Sequence, residues 1–247
     1  PTVKATFEAT HGPIGTWEFA TSVTSFEGLF DKARVGTNCA DADYQAFNED
    51  ISGWKMPGVQ SMATMFRDAT SFNQDISSWD VGEVTTMDSM FRGSTAFNSP
   101  IFTNTAKVTT MFGMFREATS FNQAVSAMSV GEVTSVSSMF NGATSFNSPI
   151  FTNTAKVTYM NNMFREATSF NQDVSAMSVG EVTTMNSMFY GATSFNSPIF
   201  TTTAKVTNMA DMFRDATSFN QDVSGMNVGA VTTMANMFDG ASTFQQN

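Results

Sequence analysis

The sequence predicts an α/β repeat solenoid, a stack of 24–25-residue coils that each pair a short strand with a short helix. Three observations predict it. The dipeptide Phe-Asn returns at near-constant spacing from residue 47 onward. Each interval opens on β-branched residues and closes on apolar residues at helical spacing. The apolar choice is narrow, with 25 Phe and 19 Met against very few Leu in 247 residues, as expected when one short pattern is copied many times.

The coils begin at Phe47, Phe72, Phe97, Phe121, Phe146, Phe170, Phe195 and Phe219, and Phe244 opens a truncated ninth. The steps are 25, 25, 24, 25, 24, 25, 24 and 25 residues, so the later part is a 49-residue double repeat of two unlike coils. One type reads FNQDVSAMSVGEVTTMNSMFYGATS (170–194), the other FNSPIFTNTAKVTYMNNMFREATS (146–169). A period of this length belongs to repeats that cannot bury their apolar face alone and gain a core only by stacking.

Within a coil, Phe-Asn and two variable residues lead to Ile or Val at positions 76, 101, 125, 150, 174, 199 and 223, which suits a short strand. The second half begins at Val-Thr. In coil two, Val84, Met87, Met90 and Phe91 fall at i, i+3, i+6 and i+7, which predicts a helix of two or three turns. Residues 1–46 are expected to form a cap with a first imperfect coil. There Trp17, Val23, Phe26, Leu29 and Phe30 match coil positions and can cover the open end, while 47–247 form the stack in the same domain.

Equivalent positions in successive coils form ladders. Asn48, Asn73, Asn98, Asn122, Asn147, Asn171, Asn196 and Asn220 make an amide ladder expected to hydrogen-bond backbone groups at a turn. The Met-Phe pairs read as core, since Met adapts to two alternating coil types. The residue before Val-Thr alternates in sign through Glu83, Lys107, Glu132, Lys156, Glu181 and Lys205, a file of opposite charges that opposes slippage by one coil. Arg67, Arg92, Arg116, Arg165 and Arg214 follow Met-Phe, interrupted by Asn141, Tyr190 and Asp239.

Two sets of residues are candidate sites. Asp50 and Asp75 hold the same position in consecutive coils, with Asp41, Asp43 and Glu49 nearby. Stacked carboxylates repel, share a proton or bind a cation, and an oxygen cluster of this kind suits Ca²⁺, although the spacing of a calcium loop is missing. The pairs Thr103/Thr105, Thr152/Thr154 and Thr201/Thr203 recur in every second coil, and a Thr array can bind ice or another ordered surface.

Composition narrows the partners. The net charge is −10, half of it from residues 1–50 with eight acidic and three basic residues, and there is no basic patch. Nucleic acid and membrane insertion are not expected. Cys39 is the lone cysteine, which excludes an intrachain disulfide and a multi-thiolate zinc site. His11 is the lone histidine, and no nucleophile set or phosphate-binding glycine loop surrounds it, so the chain is not read as an enzyme.

The stretch FNQDISSWDVGEVTTMDSMFRGST (72–95), with GPIGTWEFATSVTSFEGLF (12–30) as a first coil, resembles the BspA-type leucine-rich repeat surface proteins, also described as mycoplasma-lipoprotein-like repeats. The resemblance covers residues 12–247 and departs in the alternate coils, where NSPIFTNTAKV replaces NQDISSWDVGEV. It implies a right-handed leucine-rich-repeat-like solenoid with a parallel sheet on one face and short helices on the other. It also implies a cell-surface or secreted location, a role in adhesion or recognition of a protein or glycan, and no catalytic residues.

Overall fold

The computed structural model describes residues 12–31 and 45–246. It corrects the expected α/β solenoid with a parallel sheet and helices. Among the described residues the named element is a single 3₁₀ turn, Ile14–Thr16, and strand pairing is confined to isolated parallel bridges. The coils are built from turns. They stack through one column of bridges, Ser25–Ser61–Thr86–Thr110–Ser135–Tyr159–Thr184–Asn208–Thr233, each link joining one coil to the next.

The expected helix fails for a reason visible in its hydrogen bonds. Over 89–94 every second N–H stays within the coil. Met90 donates to Met87 O (3.2 Å), Arg92 to Ser89 O (3.1 Å) and Ser94 to Phe91 O (3.1 Å), each bond closing a β-turn. The intervening N–H groups, with that of Met87 ahead of them, point to the next coil: Met87 to Thr110 O (3.2 Å), Ser89 to Phe112 O (2.7 Å) and Phe91 to Met114 O (2.9 Å). Overlapping four-residue turns reproduce the apolar spacing that a helix would also satisfy. Helix continuation is blocked where Ser89 (φ 54°) and Gly93 (φ 71°) turn left-handed.

Those two positions repeat in every full coil. The first column is Thr64, Ser89, Gly113, Ser138, Asn162, Ser187, Asp211 and Asn236, all with positive φ. The second is Asp68, Gly93, Glu117, Gly142, Glu166, Gly191, Asp215 and Gly240, also all positive. Short polar side chains tolerate this backbone better than branched ones because they bond locally. The alternation of acid and glycine also has a steric cause. A Cβ on Gly93 would lie 2.2 Å from Asp68 Oδ1, and one on Gly142 would lie 3.4 Å from Glu117 Cγ. The acid of one coil folds over the glycine of the next.

The expected strand fails for a different reason. Ile76, Val125 and Val174 donate to Pro100, Pro149 and Pro198 O at 3.0–3.3 Å. Those prolines carry no N–H to continue a ladder, so pairing is interrupted in every second coil.

Two aromatic columns fill the interior. Phe47, Phe72, Phe97 and their successors to Phe244 stack 5.8–6.0 Å apart. Phe30, Phe66, Phe91 and their successors to Phe238 stack 5.3–5.7 Å apart. The last ring of one coil and the first ring of the next, as in Phe66 and Phe72, lie nearly parallel at 3.9–4.1 Å. Two methionine columns, represented by Met87 and Met90, are fully buried beside them from Met62 to Met212, with Val136 replacing one member in coil four. Each buried side chain contributes about 1.5–3 kcal/mol of transfer free energy.

Residues 12–31 occupy the place of a coil before the first. Trp17 stacks on Trp54 at 6.1 Å, Phe30 lies 5.3 Å from Phe66, and Phe26 N–H donates to Ser61 O at 2.9 Å. The Arg67 guanidinium pairs with the buried Asp31 at 3.0 Å. Of the expected cap residues, Phe26 is buried while Leu29 is 44% exposed. Residues 1–11 and 32–44, with His11, Cys39, Asp41 and Asp43, lie outside the described residues.

Candidate functional site

The asparagine ladder is backbone carpentry. Asn48 Oδ1 accepts the N–H of Asn73 (2.8 Å), Asn73 Oδ1 that of Asn98 (2.7 Å), and the series continues through Asn122, Asn147, Asn171 and Asn196 to Asn220, whose Oδ1 accepts from Gln245. The next side chain clamps the same asparagine. Gln123 reaches Asn98 O at 2.7 Å and Ser148 reaches Asn122 O at 2.6 Å, so a long amide and a short hydroxyl perform one task in the two coil types.

The threonine pairs divide. Thr105, Thr154 and Thr203 are fully buried and donate to Ser129, Ser178 and Asn227 O at 2.8–2.9 Å. Thr103, Thr152 and Thr201 remain at the surface, one per double repeat. The charge file resolves into three separate exposed pairs, Glu83–Lys107, Glu132–Lys156 and Glu181–Lys205, each within one 24-residue step at 2.6–2.7 Å. Solvent screens such pairs, so each is worth about 0–1 kcal/mol.

Asp50 and Asp75 each close their own turn. Asp50 Oδ1 accepts the Ser52 N–H at 2.9 Å and Asp75 Oδ1 the Ser77 N–H at 2.9 Å. Asp173 and Asp222, which have no acid at this position in the neighbouring coils, do the same with Ser175 and Ser224. The Ser52 N–H and hydroxyl hold the Asp50 carboxyl below its ordinary value, and the Ser77 hydroxyl and N–H do so for Asp75. Among the described residues no three His, Cys, Asp or Glu side chains gather in a group that could hold a metal.

A lowered carboxyl pKa stabilises the fold above the unfolded value of 3.8, and the contribution disappears as pH falls through the folded value. Asp75→Asn keeps an acceptor for the Ser77 N–H and removes the titration. Its melting temperature should match the parent at pH 7 and decline less between about pH 5 and 2. Equal acid limbs in parent and variant would show that this cap has no part in the pH dependence.

The side chains that form a concavity are elsewhere. Coil four presents a run of small residues, with Ser135, Asn141 and Gly142 part-exposed and Ser137 and Ser138 nearly buried. The neighbouring coils place Arg116 and Glu117 on one side and Arg165 and Glu166 on the other, leaving a depression of about 420 Å³ over Ser138, Asn141, Gly142 and Asn162. Arg116 Nε meets Glu117 at 3.0 Å and Arg165 Nε meets Glu166 at 3.2 Å, so the walls carry paired charges of net zero. Arg165 is also held from above by Tyr190, whose ring centre lies 4.5 Å from the guanidinium. A second depression, of about 350 Å³, lies where Ser126 and Ser129 of coil four meet Thr152 and Asn153 of coil five.

Phe112 (42% exposed) and Tyr159 (52% exposed) flank the same coil. Thr110, Ser135 and Tyr159 are consecutive members of the bridge column, and Gly113 N–H donates to Ser137 O at 2.9 Å, which sets Phe112 beside Ser137. Sequence reasoning missed this site. The signal was present as four departures from the repeat: Asn141 where five other coils carry Arg, Val136 in a Met column, and aromatic rings at 112 and 159 where the other coils have small or polar side chains.

A family model described as Mycoplasma protein of unknown function, DUF285, matches the chain four times in overlapping spans, at residues 3–103, 36–152, 101–203 and 178–247. No curated protein matches the chain.

Proposed function

The chain belongs to this DUF285 family of repeat proteins, and on that premise we propose that it is a cell-surface or secreted binding protein that mediates adhesion or recognition through the outer face of its coils. The observation that carries the reading is the outer face of coils three to five, where Phe112, Asn141 and Tyr159 depart from the repeat near a depression of about 420 Å³. A purely structural array has no need to vary its surface while keeping its two aromatic columns. The resemblance to BspA-type surface proteins supports the location and the role. The ligand is a protein or a glycan, met by the donors and acceptors of the turn-built surface.

The test is adhesion of the purified 247-residue chain to immobilised extracellular-matrix proteins and mucin, with serum albumin as the reference surface. Saturable binding to at least one matrix surface, absent on albumin, is expected. Uniformly low binding to every surface would set the reading aside.

A further inference from the structure

We propose that the coil-four trough is a binding subsite for a neutral oligosaccharide, gripped between Phe112 and Tyr159 and hydrogen-bonded by the depression beside them. The inference rests on the binding role proposed above and names the ligand class of that surface.

The first support is the floor. Ser138 is 5% exposed, is held left-handed at φ 57°, and lines the depression. Its hydroxyl meets no partner among the described residues, and the same holds for the side-chain amides of Asn141 and Asn162. The Asn, Thr and Ser ladders bond the adjacent coil, whereas Ser138, like Ser89 and Ser187 in the same column, keeps its hydroxyl without a partner among the described residues. Unspent donors and acceptors around a recess suit a ligand rich in hydroxyls.

The second support is the pair of rings. Phe112 and Tyr159 belong to coils three and five, on either side of coil four, with Tyr159 level with Ser135 and Phe112 two residues further along beside Ser137, so they stand about 10 Å apart across the stack and about 7 Å apart along it. Ser135 and Ser137 between them are too small to fill that gap, and the Ser137 hydroxyl is turned to Asn161 Oδ1 at 2.7 Å. Exposed aromatic faces beside hydrogen-bonding groups match the alternating apolar and polar surfaces of a sugar ring. The third support is charge. Both arginines of the walls are already paired with glutamates, which offers donors and acceptors together and no net field to select an anion. A sulfated or sialylated chain would meet Glu117 and Glu166 as readily as the arginines.

The experiment prints linear neutral oligosaccharides of glucose, galactose and N-acetylglucosamine beside sialylated and sulfated chains, and probes them with the 247-residue chain. The proposal expects binding to a neutral chain that persists from low to high salt. Phe112→Ala and Tyr159→Ala should each weaken it about tenfold. Asn141→Arg restores the arginine that other coils carry and places it in the depression, so it should abolish binding while leaving the melting temperature unchanged. Binding confined to sulfated or sialylated chains, or variants that bind as the parent does, would overturn the proposal. An array without signal would also overturn it. Matrix-protein adhesion measured in parallel then separates the two claims: if retained, the binding role stands without the glycan subsite, and if absent, both fall.

Discussion

Phe140→Ala should cost roughly 3–5 kcal/mol of unfolding free energy, the range for emptying a fully buried aromatic site. Phe140 has no exposed surface and stacks on Phe115 (5.7 Å), Phe146 (3.9 Å) and Phe164 (5.6 Å). Rings above and below are fixed by their own coils and cannot close the gap. At roughly 2–4 °C per kcal/mol for a chain of this size, the melting temperature should fall by about 6–20 °C. Phe238 is half-buried and has Phe244 beside it at 4.1 Å and Phe213 on one face at 5.6 Å, with no described ring on the other face. Phe238→Ala should therefore cost less than half as much. Equal losses at the two positions, read by calorimetry, would mean that the columns do not hold the stack together.

Gly58→Ala should detach the N-terminal coil. A Cβ at this position would lie 2.1 Å from Thr21 O and 2.7 Å from Thr21 C. These are backbone atoms, which cannot rotate aside as a carboxylate can. Overpacking of this kind costs about 1–3 kcal/mol, and relief requires separating residues 12–31 from coil one. The bonds Phe26 N–H to Ser61 O (2.9 Å) and Phe30 N–H to Met65 O (2.8 Å) would open, and Trp54, now 4% exposed, would lose its stack on Trp17. Hydrogen exchange should show lost protection at Phe26 and Phe30, and Trp fluorescence should shift to the red. Gly180→Ala is the control, because nothing lies within 4 Å of its added Cβ. If Gly58→Ala melts like Gly180→Ala, the close approach of the two coils is not as described.

The repeat itself was legible in the sequence because every core position is rewritten in each coil. The Phe columns, the Met columns and the alternating glycine at 93, 142, 191 and 240 are all visible as spacing. The local backbone was not legible, because apolar residues three and four apart are satisfied equally by a helix and by consecutive β-turns. What decides is the left-handed column through Ser89, Ser138 and Ser187, and single serines do not announce a positive φ. The prolines at 100, 149 and 198 were legible as strand breakers, yet the β-branched residues beside them dominated the reading.

The surface was legible in part. The asparagine ladder followed from the stacking of identical residues, and the Glu83–Lys107 pair from the alternation of sign. The burial of Thr105 was hidden, since Thr-x-Thr alternates like a strand while its second hydroxyl turns inward to Ser129 O. The coil-four trough was hidden for the opposite reason. It is defined by side chains that are smaller than their counterparts, and absence of bulk carries little signal until neighbouring coils are placed beside it.

The turn-built stack is tested most directly by scalar couplings across hydrogen bonds in the isotope-labelled protein. The structure predicts a coupling from the Phe91 N–H to the Met114 carbonyl, across 2.9 Å, and from Phe140 to Met163 and Phe189 to Met212 at the same distance. A helix in the second half of the coil would instead couple the Phe91 N–H to the Met87 carbonyl, four residues back. Detection of the couplings between coils is the expected result. Couplings to Met87 and its equivalents would contradict the account.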